Sequence, residues 1–436
     1  MSKVRLILVT LICASPVILL WDGLIMQGLV AGIVAVALAI TARTLRPGET
    51  GFLVSIIRPL APVAAVPALW VLVQVLPLRV LAHPIWKSAE TALGHPVAGG
   101  ISVDPGASVI ALGQYLSVIA VAFLSAAVAV DRQRAEWILF ALTAAVTAIS
   151  LTMLTHDSLF PGLWLATFAR AQAINCVGIG TIIASAACIR TIERYETRRS
   201  SPQRSAPVLL RTFVACSAAL AICGAAVMLD TTREALIATG YGILALACVL
   251  IVRRFALGTF GIAAIAAPAL GAAIFLFAYH PVERGTSVLL AFAGASSPSL
   301  IALTERMLDD APLVGTGAGT FAALAPIYRE IDDPPPNSVA ATAAASFAIE
   351  LGKPMFWLIA AATAGSVFIL LRASLQRGRD SFYPAMAGSC LITLLLLSFN
   401  NAGLFGTASS SIAAAVIGLG IAQSKSGRGK LYAATH

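Results

Sequence analysis

Few side chains in this chain of 436 residues are placed to do chemistry. The most informative is Arg233, in Asp230-Thr-Thr-Arg-Glu234, a very short polar hairpin between two long apolar stretches. Thr231 and Glu234 have the T-x-x-E form of a capping box, so a helix should open here. A guanidinium in that first turn opposes the helix dipole, which favours negative charge. Arg233 should therefore either pair with Asp230 or Glu234, or hold an anion together with the helix N-terminus. Arg306 offers a similar choice, with Asp309 and Asp310 at i+3 and i+4, where a surface ion pair contributes little.

A second feature is glycine-rich. Pro312-Leu-Val-Gly-Thr-Gly-Ala-Gly-Thr-Phe321 sets Gly315, Gly317 and Gly319 at alternate positions. It does not match the G-x-x-x-x-G-K-[ST] phosphate loop, so a tight turn permitting close backbone approach, to substrate among other things, is expected. His83, His95, His156, His280 and His436 are scattered without metal spacing, and His83 and His280 are candidates for acid/base work. The cysteines at 13, 176, 188, 216, 223, 248 and 390 all sit in apolar stretches and form no disulfide framework or metal pair.

The elements that must position these residues are read from composition. The chain is 59% hydrophobic and 11% charged, with mean hydropathy +0.90. Soluble chains carry roughly 25% charged residues, so disorder, a secreted disulfide scaffold and an ordinary soluble enzyme are excluded. Apolar stretches of spanning length recur, and the expected fold is an all-α polytopic bundle of about twelve transmembrane helices. Lys3 and Arg5 precede a short apolar run, but no A-x-A cleavage pattern follows, so an uncleaved first span is expected. With the N-terminus inside, most of the 29 basic residues fall in the inner segments, among them Arg132, Arg190, Arg194 and Arg253. Most acids fall outside. Both termini are then cytoplasmic. The surplus faces anionic lipid, which accounts for the pI near 9.5 without nucleic acid.

This gives three parts: spans over 1–279, a large outer loop over 280–353, and further spans with a tail over 354–436. The loop should hold a helix over 299–310, the glycine turn, a second helix, the break at Asp332-Asp-Pro-Pro-Pro-Asn337, and an Ala-rich helix capped by Ser338 and running to Leu351. Asp104-Pro105-Gly106 in the earlier outer segment reads as a turn.

Taken together these residues resemble the O-antigen ligase and polymerase superfamily of bacterial inner membranes. The resemblance rests on Thr232-Arg233 between two spans, and on a large outer loop with Arg306 ahead of Ala311-Pro-Leu-Val-Gly-Thr-Gly-Ala-Gly-Thr-Phe321. The stretch from Pro335 to Trp357 looks like the family's N-x-x-L-x-x-x-x-E-x-G segment, which re-enters the membrane. By motif the likeness covers about residues 229–368.

It implies transfer or polymerisation of undecaprenyl-pyrophosphate-linked glycan onto a glycan or lipid acceptor at the periplasmic face, with no cofactor, metal or nucleotide. Arg233 and Arg306 match the family's two essential arginines, and Thr232, Gly315, Gly317, Gly319 and Asn337 the surrounding substrate site. Other polysaccharide-assembly proteins are potential partners. Ligases carry a histidine just before the motif's Asn; here Pro335 and Pro336 stand there. That favours a polymerase and leaves Glu350, Asp332 or His280 as the base.

The rival classes are a lipid-linked glycan flippase or other transporter, and a non-catalytic partner of surface-polysaccharide assembly. A transporter should show charge inside its spans, and none sits mid-span here. Reporter fusions at Ser200 and Arg377 should read cytoplasmic, and those at Ala98 and Asp333 periplasmic. A cytoplasmic signal at Asp333 would overturn the topology.

Overall fold

The structure is a computed structural model that describes residues 2–45, 47–159, 167–198, 206–255, 271, 287–294, 296–330, 339–376 and 380–424. The described residues contain helices and no strand. Where one first span is expected, two helices stand, α1 (Ser2–Cys13) and α2 (Ser15–Leu20), the second with Pro16 in its first turn. α3 (Leu24–Thr44), α4 (Pro47–Ile57) and α5 (Ala61–Val75) follow, then the short α6 (Ile85–Leu93). The bundle continues with α7 (Pro105–Ala129), α8 (Arg132–Leu159), α9 (Thr167–Arg198), α10 (Ala206–Asp230) and α11 (Arg233–Arg254). The large loop supplies α12 (Pro298–Asp310), α13 (Phe321–Tyr328) and α14 (Ala343–Glu350). The chain closes with α15 (Lys353–Gln376), α16 (Phe382–Leu397) and α17 (Thr407–Ala422).

Seven described helices are long and apolar enough to cross a membrane. The number is eight if Gly48–Ile57 and Ala61–Val75, bent by 69°, form one broken span. This is fewer than the expected twelve, for identifiable reasons. The first apolar run is broken, α16 and α17 are apolar but only 16 residues each, and the expected span over 257–278 lies, apart from residue 271, outside the described residues. α4 occupies what was read as an inner connection.

Local chemistry explains several helix starts. Asp104-Pro105-Gly106 is not a free turn: the Asp104 carboxylate accepts the Ala107 N–H at 3.0 Å and Pro105 fills the first position of α7. α12 begins one residue earlier than expected, capped by Ser297, and buries Leu303 and Met307 on one face. The Ala-rich helix is capped by Thr342, which accepts the Ala345 N–H at 3.1 Å, and not by Ser338, which lies outside the described residues.

α9 and α16 form the centre, and α16 is buried on nearly every side, as expected for a helix apolar all round. Side-chain-free contacts let the helices approach closely: a Cβ on Gly418 of α17 would lie 2.1 Å from the Ala122 carbonyl of α7.

Two polar clusters mark the ends of this core. At one end Arg190 and Arg194 of α9 both pair with Glu136 of α8. Arg132 pairs with Asp380 at 2.9 Å, Arg190 approaches Asp380 at 3.6 Å, and Arg253 of α11 donates to Ser381. The four arginines that charge counting assigned to one side thus meet in one place. At the other end Asn175 of α9, Thr232 before α11, and Asn400 and Asn401 after α16 are hydrogen-bonded together. Thr232 to Arg253 rises about 31 Å at about 1.5 Å per residue, close to the roughly 30 Å of a bilayer's hydrocarbon core.

Glu136 and Arg190 are nearly closed off from solvent, with side chains 10% and 5% exposed. Removing one partner of such a pair leaves an uncompensated buried charge. Glu136→Ala should therefore destabilise the protein by about 3 kcal/mol, read as a lower thermal midpoint in detergent that added salt does not restore.

Candidate functional site

Arg233 opens α11. The cap is Thr232 and not Thr231: its backbone is extended (φ −70°, ψ 155°) and its hydroxyl accepts the Ala235 N–H at 3.3 Å. Thr231 instead donates back to the Val227 carbonyl of α10. The one-residue shift makes Arg233 the first helical residue and puts Glu234 behind it, where a carboxylate suits the dipole. Arg233 is exposed and makes no ion pair among the described residues, so the pairing with Asp230 or Glu234 does not occur. The Glu234 carboxylate lies instead against Gly294 of the large loop, 3.2 Å from where a Cβ would stand.

Arg306 is also on the surface, but its partner comes from farther along the chain. Its Nη1 donates to Glu330 at 2.6 Å, rather than to Asp309 or Asp310. Asp310 accepts from the Tyr328 hydroxyl at 3.0 Å, joining the ends of α12 and α13.

The glycine turn is where close backbone approach was expected, and that approach is to the protein itself. Gly315, Gly317 and Gly319 have φ of 78°, 111° and 75°, the left-handed region that a side chain disfavours. A Cβ on Gly315 would lie 2.2 Å from the Glu350 carbonyl, and one on Gly317 2.4 Å from the Ser102 hydroxyl. The backbone donors are spent internally. Thr316 N–H goes to Ile349 O at 3.0 Å, and Gly317 N–H to Glu350 O at 3.0 Å.

Glu350 itself is a clamp. Its carboxylate is buried and accepts Gly319 N–H at 2.8 Å and Phe321 N–H at 3.3 Å, capping α13 from another helix. Burial pushes the carboxyl up to about 7, opposed by those two N–H groups and by the Ser346 hydroxyl. The turn is gripped from the bundle side as well. Gln74 of α5, fully buried, donates to the Val314 and Glu350 carbonyls, both at 3.0 Å. Val103 N–H reaches Thr316 O at 2.9 Å, and the Ser108 hydroxyl reaches Ala318 O at 2.9 Å.

Of the remaining candidates, His280, Asn337 and Asp332 lie outside the described residues. His83 is half-buried, its Nδ1 accepts Ile85 N–H at 3.3 Å, and burial lowers its pKa. Among the described residues no group of three or more His, Cys, Asp or Glu could hold a metal ion.

The structure therefore brings Glu234, which follows Thr232 and Arg233, against the large loop, and brings the three glycines against Glu350, in two separate places. The link between them was missed in the sequence. Asn400 and Asn401 follow an apolar run as Ser398-Phe-Asn-Asn401, and two adjacent amides ending such a run are the signal that a buried polar junction leaves. The Asn400 amide donates to Phe292 O at 2.9 Å and Thr232 Oγ1 at 3.4 Å, while Asn401 O accepts from Ala343 N, the first residue of α14.

Comparison with protein-family models and with curated proteins finds no match for this chain.

The Glu350 clamp carries a pH signature. Its folded-state pKa, about 7, is raised above the ordinary 4.5. Its stabilising contribution is then complete below pH 4.5 and lost as pH rises through 7. The thermal midpoint should fall between pH 5 and pH 8, and Glu350→Gln should flatten that fall. An unchanged slope in Glu350→Gln would assign the dependence to another group.

Proposed function

We propose that this chain is an integral-membrane glycosyltransferase of the O-antigen ligase and polymerase type. It would act on undecaprenyl-pyrophosphate-linked glycan at the periplasmic face of a bacterial inner membrane. The polymerase role is preferred over the ligase role because no histidine precedes Asn337. One observation carries the reading: an exposed guanidinium with no ion-pair partner among the described residues, at the first position of a long helix and next to Glu234, whose carboxylate lies against the large loop. An arginine there is electrostatically costly unless an anion accompanies it. A pyrophosphate would be met by the planar guanidinium fork and by the first-turn N–H groups together.

In this chemistry the bond from the sugar's anomeric carbon to the pyrophosphate oxygen breaks, and one to an acceptor hydroxyl oxygen forms. Charge grows on the leaving pyrophosphate, and Arg233 is the group suited to stabilise it. Arg306 would contribute only after exchanging Glu330 for substrate, a modest cost for an exposed pair. Glu350 does not suit the role of base, since its carboxylate is buried and engaged with backbone N–H groups. The glycines then serve to build the fold of the loop rather than to touch substrate.

The finer topology belongs to the same proposal: about twelve spans, both termini cytoplasmic, and residues 280–353 periplasmic. It is supported by the separation of the two polar clusters and by α17. That helix is short, yet it runs from Thr407, whose N–H and hydroxyl are accepted by Asp22, to Gln423, whose amide reaches Ala129 O. A second reading, a non-catalytic partner in polysaccharide assembly, is favoured by the internal engagement of Glu350 and the glycine turn.

Arg233 separates the two. In the enzyme, both Arg233→Lys and Arg233→Ala abolish polymeric or ligated product at normal membrane levels, because lysine lacks the two-donor fork. Lipid-linked precursor accumulates behind the block. Full-length surface glycan from Arg233→Ala, seen on a gel beside an immunoblot of membranes, would remove the catalytic assignment.

A further inference from the structure

We propose that Asn400 is the positioning residue for Arg233, setting the direction of its side chain through the helix cap beneath it. This rests on the reading of Arg233 as the pyrophosphate ligand. The geometry begins with Arg233 having no ion-pair partner among the described residues. Its orientation is then inherited from the backbone that precedes it. That backbone is Thr232, whose extended conformation and hydroxyl define the start of α11.

The Thr232 hydroxyl is held from both sides. It accepts Ala235 N–H at 3.3 Å within the helix and the Asn400 amide at 3.4 Å from outside. Asn400 is 1% exposed and engages both of its amide protons and its oxygen. One amide proton goes to Thr232, the other to Phe292 O at 2.9 Å, and its oxygen accepts from Asn401 at 3.2 Å. Asn401 continues the chain of bonds to Asn175 Oδ1 at 3.1 Å, and its own oxygen accepts Gly403 N–H at 2.8 Å. One buried side chain thus fixes the start of α11 relative to the loop segment holding Phe292 and to the core helix α9.

The residue type is informative. The position faces two acceptors, the Thr232 hydroxyl oxygen and the Phe292 carbonyl, so it needs two donors on one planar group. A carboxylate would repel the Phe292 carbonyl and draw the Thr232 hydroxyl proton towards itself. It would also place a negative charge beside the residue preceding Arg233 and draw off the guanidinium that an anion needs. A hydrophobe would remove the outer donor to the Thr232 hydroxyl and leave the Phe292 carbonyl with the Gly294 N–H it already accepts at 2.8 Å. A neutral amide holds the cap without adding a charge beside Arg233.

The test uses the full chain in lipid nanodiscs with undecaprenyl pyrophosphate as the probe. Asn400→Ala should weaken binding about five- to tenfold, the worth of one buried hydrogen bond, and Asn400→Asp at least as much. Thr232→Val deletes the same bond from the other side together with the cap to the Ala235 N–H, so it should lose at least as much as Asn400→Ala. The two together should lose no more than Thr232→Val alone. Hydrogen exchange at the Ala235 and Leu236 amides should quicken in both variants. Ser125→Ala removes a buried hydrogen bond between α7 and α17 and should lower the thermal midpoint without changing affinity.

Affinity within twofold of the parent for both Asn400→Ala and Thr232→Val overturns the inference, as does an additive loss in the double variant. Undiminished binding by Arg233→Ala instead defeats the reading of Arg233 as ligand. In that event hydrogen exchange still decides the positioning role: unchanged exchange at Ala235 and Leu236 in Asn400→Ala rejects it, and faster exchange upholds it.

Discussion

The grip of Glu350 on the glycine turn is the interaction on which the large loop depends. A buried carboxylate accepting two backbone N–H groups does at once what several weaker contacts would do separately. It caps α13, fixes the turn, and anchors both to the residue that ends α14. The same residue's carbonyl accepts from Gln74, so one amino acid ties the loop to itself and to the bundle. The cost is burial of an ionisable group. That cost is moderated because the group titrates near neutrality and accepts hydrogen bonds in its charged form.

This arrangement also explains why the turn needs glycine at alternate positions. The left-handed residues turn the chain so that the Gly317 and Gly319 amides meet Glu350 while Thr316 between them pairs with Ile349 and Val103, and at Gly315 and Gly317 the neighbours lie too close for a Cβ. The glycine pattern resembles a phosphate loop superficially, but here the donors are consumed by the protein. The donors proposed to meet an anion lie elsewhere, at the start of α11. The chemistry proposed for this chain therefore sits on a helix end and a guanidinium, with the loop as the wall beside it.

How much of this was legible in the sequence depends on the kind of interaction. Apolar length located most helices because burial in a membrane is non-directional and additive. Arg132, Arg190, Arg194 and Arg253 were assigned to one side by charge counting, and they share one cluster in the structure. The loop's order of helix, turn and helix followed from local patterning. What local patterning could not supply was pairing over long separations. Thr232 displaced Thr231 as the cap, Glu330 displaced the acids next to Arg306, and Glu350, one of three candidate bases, is a buried clamp. Each outcome was decided by a residue or packing contact not adjacent in sequence. Asn400 and Asn401 were overlooked for a related reason: amides are neutral, so a search for charge in apolar runs passes over them.

The chain order of the two polar clusters has a consequence for biogenesis. Asp380, Asn400, Asn401 and Thr407 are all synthesised well after their partners Arg132, Asn175, Asp22 and Thr232. Since α16 is the buried helix joining Asp380 to Asn400, the nascent protein holds an incomplete centre with unmet polar groups until that helix enters. A chain halted before residue 380 is therefore not a smaller version of the protein but an unfinished one, suited to recognition by membrane quality control. The closing of this centre waits on residues that follow their partners by more than 150 positions.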